Sequence, residues 1–457
     1  MPNEPIFSSI QLPCGRQVRN RLVKAALYEH FATLHGGPPN HLHLRLYEQW
    51  AASEWGMIIT GNVQVSPTHL SLGRDIVLPP NNDEKHVAPF RALANAIHGQ
   101  GDSQPLAILQ LSHAGRQSPN ILGGRRPFEA PLGPSAVRVG EGVTGVVSRA
   151  VHAFMFQTPR RMRLRDVEKA IAEFVRGAQL AEEAGFDGVE LHAAHGYLIA
   201  QFLSPKSNKR TGNLGPDEML WFLFRIVHHI RLVVSPTFIL GIKLNSTDSG
   251  VDALKHVQTI SSWGRVDFIE VSGGDYESPD FLLEKSSRQA LFADFSTRAR
   301  ESLSSLPPEK RPLVLLTGGL SNPAQLRNAL AAGHADLVGL GRTAVLCPDA
   351  PSRLRNNRPF PAQPTLDFHP LLARLPLPRL KLIGAGTTMA WYTVMLRRLA
   401  QDWEVDFGMG PVGGLVWMWL WMGPDSAWKR FGASAWMWVC AGVLLAAVSC
   451  GLWVLRP

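Results

Sequence analysis

Short apolar runs rich in β-branched residues alternate with stretches of helical periodicity as far as about residue 350, the pattern of βα units around a parallel sheet. Eight strands are predicted, over Leu22–Ala25, Met57–Gly61, Leu106–Leu111, Gly188–His192, Phe238–Leu244, Phe268–Ser272, Leu313–Thr317 and Leu337–Leu340. Their apolar character is continuous rather than alternating, as in strands covered on both faces. The clearest helix is predicted over Asp166–Ala184, where Ile171, Phe174, Ala178 and Ala181 recur at helical spacing. Asp166 is its expected cap and Gly185 its stop. These units predict an α/β fold, a TIM (β/α)8 barrel over residues 1–350 with a C-terminal extension.

Other stretches break the pattern. Between Ser118 and Gly145, Gly, Pro and Arg are dense and periodicity is absent, which reads as a long excursion over the barrel mouth and a lid candidate. From Pro348 to Arg379 proline and arginine dominate, so residues 351–431 are assigned to a Pro/Arg-rich linker and a Trp-rich segment. Val412–Met422, with Trp417, Trp419 and Trp421, is too short to span a bilayer and is predicted to lie at its interface. Ala433–Leu455 is about 23 residues without a charge, close to the ~20 that cross a hydrocarbon core. Residues 432–457 are therefore predicted to form a single-pass C-terminal anchor. Lys429 and Arg430 before it place the catalytic domain in the cytosol. A buried C-terminal helix is the alternative.

Hydrophobic residues make up 45% of the 457 positions and charged ones 18%, a globular composition that excludes wholesale disorder. The net charge of +9 is scattered rather than gathered in a stripe, so no nucleic acid partner is expected. Cys14, Cys347, Cys440 and Cys450 show no metal-like or CxxC spacing and read as reduced, intracellular thiols. The first ten residues lack a secretory pattern.

The most informative stretch is Gly185–Gly212, GFDGVELHAAHGYLIAQFLSPKSNKRTG, which sets His192, His195 and Tyr197 at the carboxyl end of a barrel strand, where such barrels place their chemistry. Two imidazoles there can donate hydrogen bonds to a carbonyl oxygen as negative charge grows on it, and a phenol can return a proton. Metal ligation and a purely structural role are the competing readings, and no Cys or HExxH partner completes a metal site.

This stretch resembles the signature of the Old Yellow Enzyme family, in the branch with a paired histidine. NRLVKAALYE (20–29), GMIITGNV (56–63), QLSHAGRQ (110–117), VSGG (271–274), TGG (317–319) and LVGLGR (337–342) resemble the family's other motifs in the same order. The resemblance implies FMN at the barrel mouth and NAD(P)H as reductant. It implies a phosphate held by Gly318, Gly319, Gly341 and Arg342, whose glycines admit an anion to the backbone and whose guanidinium can bind it in bidentate fashion. It assigns Gln110 to the flavin pyrimidine edge, Lys243 to a cation near flavin N1 and O2, and Ala25, Ala26 and Tyr28 to the isoalloxazine. Tyr28 departs from the small residue usual there. A second departure follows Thr211, where GNLGPDEMLWFLFRIV replaces the family's usual rim loop and bears on stability, subunit contacts and FMN retention.

The activity implied is ping-pong reduction of the C=C bond of a small α,β-unsaturated carbonyl, with His192 and His195 on the carbonyl and Tyr197 as proton donor. Redox-neutral, dehydrogenating or nitro-reducing flavin chemistry is the alternative enzyme reading, and a membrane-tethered scaffold without FMN is the alternative of another class.

Overall fold

The computed structural model describes residues 4–101, 104–140, 152–212, 215, 218–246, 253–272, 285–366 and 381–422. Its centre is a closed ring of eight parallel strands: β1 (Leu22–Lys24), β2 (Met57–Gln64), β3 (Leu106–Ser112), β4 (Gly188–Ala193), β5 (Ile239–Asn245), β6 (Phe268–Ser272), β7 (Leu313–Thr317) and β8 (Leu337–Leu340). Each pairs with the next, and β8 returns to β1 through Val338 opposite Leu22. The bounds of β6, β7 and β8 are those predicted, whereas β2 runs on to Gln64.

Two apolar layers explain why near-continuous hydrophobic strands are needed. Inward-facing Val23, Met57, Ile59, Ile108, Ile239, Phe268, Leu315 and Leu337 fill the barrel interior, while the alternate residues face the surrounding helices. An N-terminal hairpin, Ile10–Gln11 against Gln17–Val18, adds Leu12 and Val18 to the inner layer.

The helices are α1 (His41–Ala51), α2 (Glu84–His98), α3 (Leu164–Glu183), α4 (Leu198–Leu203), α5 (Trp221–Val233), α6 (Ala253–Ser262), α7 (Lys285–Ser302), α8 (Pro323–Ala331), α9 (Arg342–Leu346), α10 (Ala350–Arg355), α11 (Lys381–Leu399) and α12 (Pro411–Met422). In α3 the predicted N-cap is corrected by three residues, from Asp166 to Arg163. Asp166 is not the N-cap but sits inside the first turn, where its carboxylate accepts from the Arg163 backbone N–H at 2.8 Å. Gly185 takes φ +87° just past the helix end, as a stop requires.

Two segments differ from their sequence readings. The described part of the excursion, Ser118–Gly140, is tied down beside the barrel: Arg125 donates to Thr68 O and Ser118 Oγ at 2.6 Å each, and Leu132–Gly133 pairs with Arg160–Arg161. None of its described residues lines the cavity found at the barrel mouth, so they form no lid over it. Within 351–431, α11 docks on α1 and α9 and buries Trp391, Val394, Met395 and Leu399. Gln49 donates to Leu399 O at 2.5 Å, and Trp391 Nε1 donates to Met409 O at 2.8 Å. Helix α12 packs on α11 with Leu420 buried and Trp417 and Trp419 exposed. The apolar run Ala433–Leu455 lies outside the described residues, and among the described residues no helix is long and apolar enough to cross a membrane.

Candidate functional site

A cavity of about 600 Å³ opens at the carboxyl ends of the strands, in the ~300–1,000 Å³ range typical of cofactor and ligand sites. It gathers Ala26, Tyr28, Gln110, His192, His195, Tyr197, Lys243, Gly318, Gly319, Gly341 and Arg342, which the sequence had singled out. Ala25 is the exception. It is buried, its backbone N–H donates to Leu340 O at 3.0 Å, and it does not line the cavity.

The histidines are held by a directed chain of hydrogen bonds. His192 Nδ1 lies 2.8 Å from Asn62 Oδ1, His192 Nε2 lies 3.0 Å from His195 Nδ1, and His195 Nε2 lies 3.1 Å from Ser272 Oγ. Burial, then His195 and Lys243, hold the His192 imidazole well below its ordinary pKa. Burial and Lys243 lower His195 to about 3. Both rings are therefore neutral near pH 7, with one N–H each. An amide oxygen only accepts, so His192 donates from Nδ1 and accepts at Nε2. His195 must then donate from Nδ1, and Ser272 donates to its Nε2.

Asn62 Nδ2 donates to the Tyr197 hydroxyl oxygen at 3.3 Å, and Ser71 Oγ donates to it at 3.4 Å. The tyrosine oxygen is thus an acceptor within the protein. The sequence reading had aimed both imidazoles at a ligand oxygen. In this structure all four ring nitrogens have protein partners, so an imidazole N–H reaches a ligand only by exchanging one of these bonds.

Asn62 escaped the sequence reading because a β-bulge sets its direction. The pairing of β2 with β3 shifts register between Ile59 and Asn62, and a bulge re-aims the side chain that follows it. Tyr47 and Glu29 hydrogen-bond to each other, and both accept from Gly61 N, at 2.8 and 3.0 Å. A Cβ on Gly61 would lie 1.9 Å from Glu29 Oε2, so only glycine fits. His195 has φ +55°, an uncommon backbone state for a residue with a side chain. Asn245 Oδ1 accepts from its N–H at 3.1 Å and Gln117 Nε2 donates to its carbonyl at 3.0 Å.

Below the cavity floor lies a buried charge network. Gln110 Nε2 donates to Glu190 Oε2 at 2.5 Å, and Lys243 Nζ donates to Glu270 Oε1 at 2.8 Å. Burial pulls the Lys243 ammonium down, but Glu270 and Glu190 more than offset this and leave its pKa raised. Burial and the neighbouring Glu270 push Glu190 well above the carboxylate range. Lys243 is therefore a fixed cation at the cavity wall. The Gln110 amide, tethered through its nitrogen, keeps an oxygen without a partner among the described residues.

The β7–β8 side of the cavity fits an anion. Gly318 and Gly319 take φ +113° and +72°, and an added Cβ on Gly341 would meet only Leu27, at 3.5 Å. Arg342 faces the same space and has no carboxylate partner among the described residues. A guanidinium without a protein anion, beside glycine backbone, suits a phosphate monoester. The wall above it is α11, which contributes Thr388, Met389, Tyr392, Thr393 and Leu396. None of these was singled out from sequence. The signal available was helical spacing of Trp391, Val394 and Met395 within a stretch interrupted by Gly384 and Gly386.

A (β/α)8 barrel whose mouth joins an anion cradle to a fixed cation, a phenol and neutral imidazoles defines a class, the barrel oxidoreductases that work through a bound phosphorylated cofactor. Residues 5–360 match the model of the NADH:flavin oxidoreductase / NADH oxidase family, and the chain belongs to that family. It is an NAD(P)H:flavin oxidoreductase of the Old Yellow Enzyme type, with FMN as cofactor and NAD(P)H as reductant.

Among its relatives is the NADH-dependent flavin oxidoreductase iliE of Neonectria sp. (strain DH2), 40% identical over 362 residues. That match covers 75% of this chain, which spans 46% of the relative's length. The NADH-dependent flavin oxidoreductase iccE of Talaromyces variabilis is 34% identical over 420 residues, covering 87% of this chain and 98% of the relative. This is more of the chain than residues 5–360 contain, so the match runs into the C-terminal segment that holds α11. Morphinone reductase in complex with tetrahydroNAD shares the fold, with a TM-score of 0.62 at 23% identity over 80% of this chain and 93% of that one.

Proposed function

We propose that this enzyme reduces the C=C bond of an α,β-unsaturated carbonyl by a ping-pong mechanism, as a paired-histidine member of its family. The observation that carries this reading is the Tyr197 phenol, which lines the cavity beside His192, ring centroids 4.5 Å apart, with its oxygen oriented by Asn62 and Ser71. FMN, when bound, supplies the two-electron carrier between the nicotinamide and the alkene. Arg342 and the backbone of Gly318, Gly319 and Gly341 would hold its phosphate. Lys243 and the Gln110 oxygen would meet the pyrimidine edge, and Ala26 and Tyr28 the ring.

Alkene reduction adds a hydride to the β carbon and a proton to the α carbon. Tyr197 gives that proton. The substrate oxygen takes an N–H of the His192–His195 pair in exchange for the bond between them, or for the one to Asn62, and the donor stabilises the enolate charge. An anaerobic product assay tests the reading: one NAD(P)H consumed per saturated ketone formed from a cyclic enone supports it. Turnover without net nicotinamide consumption would instead identify redox-neutral flavin chemistry.

The run Ala433–Leu455 is proposed as a single-pass anchor that holds the catalytic domain at the cytosolic face. The Trp417 and Trp419 faces of α12 are exposed as an interfacial segment requires. Deleting residues after Phe431 should release the protein from membranes in high salt. Continued sedimentation of the shortened chain would remove the anchor assignment.

A further inference from the structure

Helix α11 lies beyond residues 5–360 that match the family, yet it walls the same cavity as the phosphate cradle. It is not a loosely attached tail. Its docking on α9 places it directly behind Arg342, the first residue of that helix. Trp391, fully buried, and the Gln49 hydrogen bond to Leu399 O fix it against the barrel.

Tyr392 is the residue of this helix with the chemistry to act on an anion. It is 7% exposed, lines the cavity, and stands within electrostatic reach of Arg342. Its hydroxyl has no hydrogen-bond partner among the described residues. Its oxygen is not sealed in packed protein but opens onto the cavity, where a ligand can meet it. The same space holds the Arg342 guanidinium, which has no carboxylate partner among the described residues. An anion between the two would satisfy both.

We infer that α11 is part of the FMN site, with the Tyr392 hydroxyl donating to the cofactor phosphate held by Arg342. Burial pushes the phenol up to about 12 against a downward pull from Arg342, so it keeps its donor proton at every working pH. The C-terminal extension then decides how tightly the barrel holds its cofactor, because Tyr392 cannot act unless α11 is docked.

The inference rests on the assignment of Arg342 to the phosphate, and FMN and riboflavin titrations of apoprotein, followed by flavin fluorescence, separate the two. Riboflavin has the same ring and no phosphate. For Tyr392→Phe, FMN should bind about tenfold more weakly, the usual effect of losing a hydrogen bond to a charged group, and riboflavin should bind as it does to the wild type. In an Arg342→Ala background the same substitution should change FMN affinity by less than about threefold, since both residues act on one group.

FMN affinity within twofold of wild type in Tyr392→Phe overturns the inference. So does an equal loss for FMN and riboflavin, which would make Tyr392 a packing residue. Arg342→Ala that binds FMN normally would overturn the phosphate assignment itself. Wild-type apoprotein that binds neither flavin would overturn both.

Discussion

Asn62 ties the two halves of the proposed chemistry together, because one amide accepts from His192 and donates to Tyr197. Replacing it by leucine keeps the volume and removes both bonds. Asn62→Leu should slow alkene reduction about tenfold or more, the lower part of the range for misplaced acid–base groups, while reduction of the flavin by NADH stays within about twofold of wild type. Single-turnover measurements of the two half-reactions decide it, and equal losses in both would show that Asn62 merely shapes the cofactor site.

The same chain fixes a pH dependence. His195 is lowered to about 3 and His192 well below its ordinary value, so both stay neutral as pH falls from 8 to 5. Neither gains a proton in that window, and the alkene half-reaction should show no limb near pH 6.5. A limb there that vanishes in His195→Asn would mean the buried chain opens and the imidazole titrates as in water.

At the scale of elements, β2 is where local sequence and function meet. Gly61 is forced by Glu29 and the Leu27 carbonyl, and the bulge beside it turns Asn62 toward the cavity. Gly61→Ala should lower stability by roughly 2 kcal/mol or more, since the added carbon would lie 2.3 Å from Leu27 O as well as against Glu29. Thermal denaturation reads this directly, and an unchanged midpoint would show that the bulge relaxes without cost.

Strands β6 to β8 were legible to the residue because they are buried on both faces and need unbroken apolar runs. The bulge was not legible, because a one-residue shift in pairing leaves no mark on apolar periodicity. Helix α11 was obscured by Gly384, Gly386, Thr387 and Thr388, which weaken helical propensity and mimic a linker. Its burial against α1 and α9 supplies what propensity lacks.

Taken as a whole, the molecule puts two chemical functions on opposite sides of one cavity. Strands β7 and β8 lead into the glycines and Arg342 of the proposed phosphate cradle, and β2 to β5 carry Asn62, Gln110, His192 and Lys243, which line the same cavity. That Gly318, Gly319, Gly341, Arg342, His192, His195 and Tyr197 share one cavity was readable from motifs, since each is a particular side chain or a glycine near a strand end. Their state was not. That the imidazoles bond to each other depends on Ser272 and Asn62, residues 80 and 130 positions away from His192 in sequence. The wall formed by α11 was equally hidden, because Ser118–Gly145 read as a lid, whereas its described part, Ser118–Gly140, does not line the cavity and α11 does.

The central claim is that this cavity reduces an activated alkene with Tyr197 as its acid. The most direct test is anaerobic stopped-flow on the wild type and Tyr197→Phe, with the enzyme first reduced by NADH and then mixed with a cyclic enone. Flavin reduction should run at equal rates in both proteins, and reoxidation by the enone should be at least ~100-fold slower in the variant. Reoxidation at the same rate in both, or none in the wild type, would contradict it.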